Sequence, residues 1–397
     1  MQRLTPYLPS SEHAQTPALY KQADDLVMAC AGLSAGLHVN ILSEIKRITF
    51  LVNNYYSNQI ESEGTHPVDI YKAMINDFSQ QDAEKSKQHL ALAYGEAQEF
   101  VYASSHDFSC LQNILEVHSV FYGSKHILDE HRVVLDAQGA KHPIYPGQIR
   151  QTQVEVGQHL APPAEDLEGL FRVFNQHYRF MPNDLMYQKI IKTFAAHHRF
   201  MFIHPFLDGN GRTGRLMTDG MLNQVFPETY GLWSLSRGLA RHNPDYKKWL
   251  ARADQIRQGT LDGRGQRTET GLIEFIRFMI LMATDQVSYM AAMLKLPELH
   301  ERLKQFVMLS QNASQFGLTV PVDMLKLIPT LLVDGEIRKA DLPALLGCSE
   351  RKARTIAKRL VEVGLLYDES KFAPLKLRLP ERALPYIFPN LVPFLDE

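Results

Sequence analysis

The sequence predicts an all-α protein: a helical bundle that carries a small β-hairpin flap, followed by a C-terminal helical module with a hairpin of its own. Three observations lead there. From Tyr20 to about Leu128 the apolar residues recur at helical spacing, with little glycine or proline inside the runs. The segment 184–203 sets Tyr187, Ile190, Ile191, Phe194, His198, Met201 and Phe202 at three- and four-residue intervals, a stripe wide enough for the central helix of a bundle. Signals for β-structure are confined to two short places, 148–156 and 365–379.

Taken in order, residues 1–20 contain proline and serine and are expected to lie over the surface. Helices are expected over 23–37, 41–60, 67–78, 82–104 and 109–122. Pro67 opens the third of these at a first-turn position, where its missing N–H does no harm. The stretch 131–157 carries Gly139, Pro143, Pro146 and Gly147, and β-branched residues nearly alternate over 148–156, which reads as an extended hairpin; an irregular loop is the competing reading. Pro162 and Pro163 end it. Helices are expected again at 164–179, 184–203, 210–224 and 244–258. A glycine-rich loop at 259–271 precedes helices at 269–294, 297–315 and 320–332. From Glu336 the order becomes a short helix at 339–346, a turn at 347–349, a helix at 350–363 and two strands within 365–379, the winged-helix pattern.

A chain of 397 residues exceeds what one hydrophobic core organises, so several domains are expected. The formal net charge of −2 gives no global field toward nucleic acid or an anionic membrane, so any basic surface is local. Cys30, Cys110 and Cys348 are far apart and lack metal-binding spacing, which suits a reducing compartment. The first residues lack a basic-then-apolar signal pattern. The most apolar helix, near 271–289, is interrupted by Glu274, Arg277 and Asp285, so it reads as core and not as a membrane span. The expectation is a cytoplasmic protein without membrane contact.

The chemistry is concentrated in 204–215, which reads His-Pro-Phe-Leu-Asp-Gly-Asn-Gly-Arg-Thr-Gly-Arg. Glycines before a helix free backbone N–H groups to face an anion at the helix N-terminus. Helical spacing puts Arg212 and Arg215 on one face, where guanidiniums fork onto phosphate oxygens. Asp208 beside a polyphosphate would repel it unless a cation such as Mg²⁺ lay between them. His204 is the group here that can act as a base at neutral pH. A base beside a clamped polyphosphate implies attack of a hydroxyl on phosphorus.

This run resembles the signature of the Fic family, His-x-Phe-x-(Asp/Glu)-Gly-Asn-Gly-Arg-x-x-Arg. Every specified position is met by His204, Phe206, Asp208, Gly209, Asn210, Gly211, Arg212 and Arg215. The resemblance implies a helical bundle with a β-hairpin flap and transfer of AMP from ATP to a Ser, Thr or Tyr hydroxyl of a target protein, or of the enzyme itself. His204 would then be the catalytic base and Asp208 the Mg²⁺ ligand at the α- and β-phosphates. The backbone of Gly209, Asn210 and Gly211 would form the anion hole, with Thr213 and Gly214 in the same nucleotide-binding turn. Arg212 and Arg215 would hold the β- and γ-phosphates. The flap near 148–156 would present the target as an added strand. Tyr246, within Asn243-Pro-Asp-Tyr246, would contact ribose or adenine; an ordinary helix-start aromatic is the alternative.

Family members are commonly restrained by a helix reading (Ser/Thr)-x-x-x-Glu-(Gly/Asn), whose glutamate pairs with the second motif arginine. Ser57-Asn-Gln-Ile-Glu61 is similar, with Ser62 in place of the glycine or asparagine, and Glu63-Gly64 is a shifted competitor. The resemblance implies that Glu61 bridges to Arg215 and obstructs the γ-phosphate. In relatives the same glutamate can position a water for AMP removal, so reversal, or transfer of another group, stays open.

The expected organisation is therefore an N-terminal helical region at 1–105 with the inhibitory helix near 41–62, a catalytic domain at 106–295, a helical connector at 296–335 and a winged-helix-like domain at 336–397. The last carries Arg351, Lys352, Arg354, Lys358 and Arg359 on its second helix, a face that suits DNA or simply keeps a protein-binding helix solvated. A nucleotide-sensing transcriptional regulator is the alternative function. A homodimer is compatible with the sequence.

Overall fold

The computed structural model describes residues 4–136, 139–157, 159–312 and 319–394. Its first helices are α1 (Thr16–Ala31), α2 (Val39–Ile60), α3 (Pro67–Met74), α4 (Asp82–Ala103) and α5 (Leu111–Gly123). Two small antiparallel ladders follow, β1 (Val133–Leu135) with β2 (Lys141–Pro143), and β3 (Glu155–Val156) with β4 (His159–Leu160). Then come α6 (Leu167–Tyr178), α7 (Met186–Ile203), α8 (Asn210–Val225), α9 (Leu235–Arg241), α10 (Asn243–Ala253), α11 (Glu269–Met293) and α12 (Leu296–Leu309). The C-terminal part holds α13 (Ile328–Asp334), β5 (Glu336–Ile337), α14 (Leu342–Leu346), α15 (Glu350–Glu362), β6 (Leu366–Tyr367), β7 (Leu375–Leu377) and the short α16 (Leu384–Ile387).

The architecture is all-α with small antiparallel strand pairs, as the helical periodicity requires. The central helix is α7. Its stripe residues Ile190, Ile191, Phe194, His198 and Phe202 are buried, and so are Ala195, Ala196, His197 and Arg199 on its remaining faces. It packs on α1, α6, α8 and α11. The α8 helix is covered in turn by α2, α4 and α5, so its N-terminus emerges where α2 ends.

Differences from the sequence expectations have local causes. The flap is two ladders and not one hairpin over 148–156; of that stretch only Glu155 and Val156 pair, turning at Gly157 with φ +61°. The segment is instead anchored at one point by the buried Arg150 side chain, while Gln148, Gln151 and Thr152 stay exposed. The 320–332 helix breaks into a 3₁₀ turn at Val322–Lys326 and α13, because Pro329 is tolerated only in a first turn. The α9 helix, absent from the sequence reading, starts at Ser234, whose hydroxyl accepts from the Arg237 N–H. The expected end of the 297–315 helix lies outside the described residues from 313 onward.

At the C-terminus the strands order β5-β7-β6, with β5 a strand that the sequence reading gave to no element. Ala353, Ile356 and Leu360 form the buried side of α15. This part is fastened along α2. Asn40 Nδ2 donates to Glu336 at 3.3 Å, and Arg47 reaches Glu381 at 2.5 Å and the Leu379 carbonyl at 2.7 Å. Tyr56 donates to the Leu391 carbonyl at 3.1 Å. Among the described residues no helix is long and apolar enough to cross a membrane.

Gly220 on α8 faces the ring of Phe108, and a Cβ there would fall 2.4 Å from it. That ring is itself fully buried and cannot swing aside. Gly220→Ala is expected to lower stability by about 1–3 kcal/mol, the usual cost of overpacking. Urea unfolding reads this as a lower midpoint; an unchanged midpoint would show that the helices have slack.

Candidate active site

The site begins where α7 stops. His204 caps that helix in the left-handed region, at φ 49° and ψ 64°, with its N–H on the Phe200 carbonyl at 2.9 Å. The chain then turns through Phe206, buried and stacked on the His118 ring at 3.9 Å. The Asn210 side chain closes the turn, accepting from the Phe206 N–H at 2.9 Å and donating to the Phe206 carbonyl at 2.8 Å. Gly209 precedes α8 at φ +77°, and the Tyr122 ring occupies the place of any Cβ, 2.6 Å away. Only glycine fits both demands.

His204 Nδ1 faces the Met201 carbonyl at 3.2 Å. A carbonyl only accepts, so Nδ1 carries the proton and Nε2 keeps its lone pair. Burial, with His159 and Arg150 adding to it, pushes the imidazole down to about 4 against the opposing pull of Asp208, so it is neutral at pH 7. Burial acts to raise the Asp208 pKa, but the Arg212 charge and the Tyr122 hydroxyl, which donates at 2.6 Å, hold it below its ordinary value. His118 Nδ1 accepts from the Gly147 N–H at 3.0 Å, which leaves Nε2–H to donate to the Asp208 carbonyl at 3.3 Å.

Both motif arginines are taken. Arg215 donates to the Ser57 hydroxyl at 2.8 Å, the Ser57 carbonyl at 2.9 Å and Glu61 at 2.7 Å. Arg212 meets Glu63 at 2.6 Å, a pairing with the shifted competitor in addition to the expected glutamate. The end of α2 delivers both carboxylates. Glu63 N–H bonds to the Asn58 carbonyl and Ser62 N–H to the Gln59 carbonyl, with Ser62 left-handed at φ 65°. That is a Schellman ending, and it explains why glycine or asparagine suits the position after the glutamate. The Glu61 carboxylate lies against Gly211, where a Cβ would come within 2.1 Å of it. It therefore fills the space before the N-terminus of α8. Burial raises the Glu61 pKa, but the Arg215 and Arg212 charges outweigh it and hold the carboxyl below its usual range. Arg212 Nε is buried with no hydrogen-bond partner.

The structure thus brings Ser57, Glu61, His204, Asp208, Gly209, Asn210, Gly211, Arg212 and Arg215 together. Thr213 and Gly214 lie one layer deeper, Thr213 with its N–H on the Gly209 carbonyl and Gly214 against Phe200. Tyr246 is deeper still. It is 2% exposed, its hydroxyl meets His197 Nε2 at 2.6 Å, and it backs Arg215 instead of facing open space for a ribose or adenine. Sequence reasoning missed His118, Tyr122 and Arg150. A histidine and a tyrosine four residues apart on a buried face were the available signal for the first two. Among the described residues no three His, Cys, Asp or Glu side chains gather as a metal cage. Asp208, with a side chain 46% exposed, fits a divalent cation that brings its remaining ligands as phosphate oxygens.

Residues 121–222 match the model of the Fic/DOC family. Curated relatives include a protein adenylyltransferase Fic of Nematostella vectensis, 31% identical over 181 residues, or 45% of this chain and 36% of that protein. A protein of the same name from Drosophila grimshawi is 40% identical over 98 residues, 25% of this chain and 20% of that protein. The chain therefore spans about a third or less of the length of these relatives. Among solved structures, a Fic family protein from Desulfovibrio desulfuricans G20 aligns over 93% of this chain and 98% of its own, with TM-score 0.51 and 18% identity. Fic-1 of C. elegans (residues 134–508) aligns over 70% and 73%, with TM-score 0.52 and 18% identity. The fold resembles that of a Fic family protein along nearly the whole chain, and residues 121–222, which contain the complete motif, are similar to the Fic/DOC family.

Proposed function

We propose that this protein transfers AMP from ATP to a hydroxyl of a protein, and that it is held inactive by its own α2. The observation that carries the reading is the neutral His204, protonated on Nδ1, at the start of the braced turn that leads into α8 and its two arginines. His204 Nε2 takes the proton of a Ser, Thr or Tyr hydroxyl, whose oxygen bonds to the α-phosphorus. The bond from that phosphorus to the β-phosphate oxygen breaks, and pyrophosphate leaves with its charge on Arg212, Arg215 and the N–H groups of α8. Mg²⁺, when bound at Asp208, offsets the charge of the bridging phosphates. The flap ladder β3–β4, with Val156 and Leu160 exposed, supports docking of the target as an added strand.

Two arginines face three carboxylates here, Glu61, Glu63 and Asp208, so the closed site carries a net charge of about −1 at pH 7 by simple summation. It repels polyphosphate until α2 lets go. Protein with Glu61→Gly, incubated with α-labelled ATP, is expected to label itself or a target far faster than the wild type, and Glu61→Gly/Glu63→Gln faster again. Adding His204→Ala is expected to lower the rate about 10²–10⁴-fold; equal labelling without the imidazole would remove His204 from its role. In the released enzyme the acid limb of the rate profile should fall near pH 4 instead of near 6.5. Activity is present above that value and lost as the pH drops through it and the base is protonated. A limb at ordinary imidazole pH would mean that burial does not tune His204.

For the C-terminal module we infer contact with DNA. Arg351, Lys352, Arg354, Lys358 and Arg359 are all exposed on α15, and Phe372, in the turn between β6 and β7, is 90% exposed beside Lys371. Binding to a duplex from its own promoter should weaken steeply with salt, by a log–log slope of about −0.9 per phosphate contact. No binding at low salt would leave the module a protein-binding surface.

A further inference from the structure

Arg150 is a cation with an uncommon setting. It sits between the flap and the catalytic loop and is only 3% exposed. Among the described residues no carboxylate pairs with it, and its charge is spread over backbone carbonyls. Nε donates to the His204 carbonyl at 2.8 Å, Nη1 to the Thr152 carbonyl at 2.8 Å, and Nη2 to those of Pro162 at 2.5 Å and Ile203 at 3.4 Å. Its own N–H donates to the Pro205 carbonyl at 2.8 Å. A buried cation without an anion is costly unless its donors are met, and here one planar fork meets four acceptors from three separate places. Those places are the two ends of the β3–β4 flap and the chain around His204, which is held in a left-handed conformation that a histidine does not favour.

We propose that Arg150 is the positioning residue that ties flap order to the aim of the His204 imidazole, so that docking a target on the flap and presenting the base to its hydroxyl are one structural event. The reading rests on the adenylyl transfer proposed above. Lysine could supply the charge but not four directed bonds. A second strand of support comes from the surroundings of the imidazole. The groups facing His204 are Arg150, His159 of β4, and Asp208, with Asp254 behind His159 at 3.6 Å and behind His198 at 3.2 Å. His159 donates to the loop, its Nε2–H lying 2.8 Å from the Phe202 carbonyl, which can only accept. The flap therefore grips the residues flanking His204 from two sides, and Arg150 adds a positive charge that favours the neutral imidazole.

The test uses full-length protein with Glu61→Gly/Glu63→Gln and adds Arg150→Lys or Arg150→Gln. Hydrogen exchange is followed over 152–162 and 203–206, the His204 titration is followed by NMR of the labelled imidazole, and AMP transfer is measured by label. Both substitutions are expected to speed exchange in the two segments together. They should also lower transfer about 10²-fold, the scale of a misaimed group, with KM for the target rising more than KM for ATP. Arg150→Gln alone should move the His204 titration upward, while Arg150→Lys leaves it in place. Exchange that is unchanged in both segments, or that rises in one and not the other, overturns the coupling. Should Arg150→Gln fail to fold, Arg150→Lys still carries the exchange and KM arms. Absence of transfer with Arg150 intact would sink the transferase reading, while the exchange and titration arms still decide the role of Arg150.

Discussion

Gly214 has no side chain where the ring of Phe200 crosses α8, and that gap sets how closely α7 and α8 approach. A Cβ would lie 2.9 Å from the ring. Because the two helices are held at this distance, the short chain between them must reverse within a few residues, and the conformations it adopts follow. His204 goes left-handed to leave α7, Asn210 braces the reversal through Phe206, and Gly209 enters α8 with the Tyr122 ring against it. His204 and the N-terminus of α8 then stand at the two ends of one short, braced turn. The shape of the candidate site is a by-product of how tightly two helices are packed, since close-packed interiors leave such a loop one shape.

That local determination is why the motif was legible in the sequence. Residues 204–215 are contiguous, and each contributes through its own backbone or through neighbours a few positions away. The central helix was legible for the same reason, its apolar spacing being a property of one segment. Ser57 and Glu61 could be read only because a helix end reproduces a spacing, and Ser62 keeps the left-handed ending although it is neither glycine nor asparagine. Glu63 on Arg212 was not fixed by spacing, since the reach of that side chain depends on the turn after the helix. Tyr122, His118 and Arg150 were missed because their partners lie 86, 90 and 54 residues away; the spacing of His118 and Tyr122 marks a shared face but not what that face contacts. The flap was misplaced for a related reason. Alternation over 148–156 suggested a strand, but a buried guanidinium at position 150 claimed the backbone first.

The two arginines, expected to divide their duties between nucleotide and inhibitor, are instead opposed by a matched pair of carboxylates on either side of one left-handed residue. A non-glycine residue in that conformation costs about 1–2 kcal/mol, so the clamp is built on a turn that carries some strain. Coulomb attraction in a partly dry setting holds it, and the same attraction would favour phosphate once the carboxylates withdraw.

The grip of the C-terminal segment on α2 determines which part of that helix can give way. Asn40, Glu44, Arg47 and Tyr56 are tied to residues between Glu336 and Leu391, through bonds that include a carboxylate flanked on both sides by backbone and guanidinium. Drawing α2 out as a rod would break all of these at once. Unwinding the single turn from Ser57 to Glu61 breaks none of them. Release of the site, as proposed above, would therefore need only the fraying of a helix end mounted on a fixed post, a local melting and not the travel of a domain.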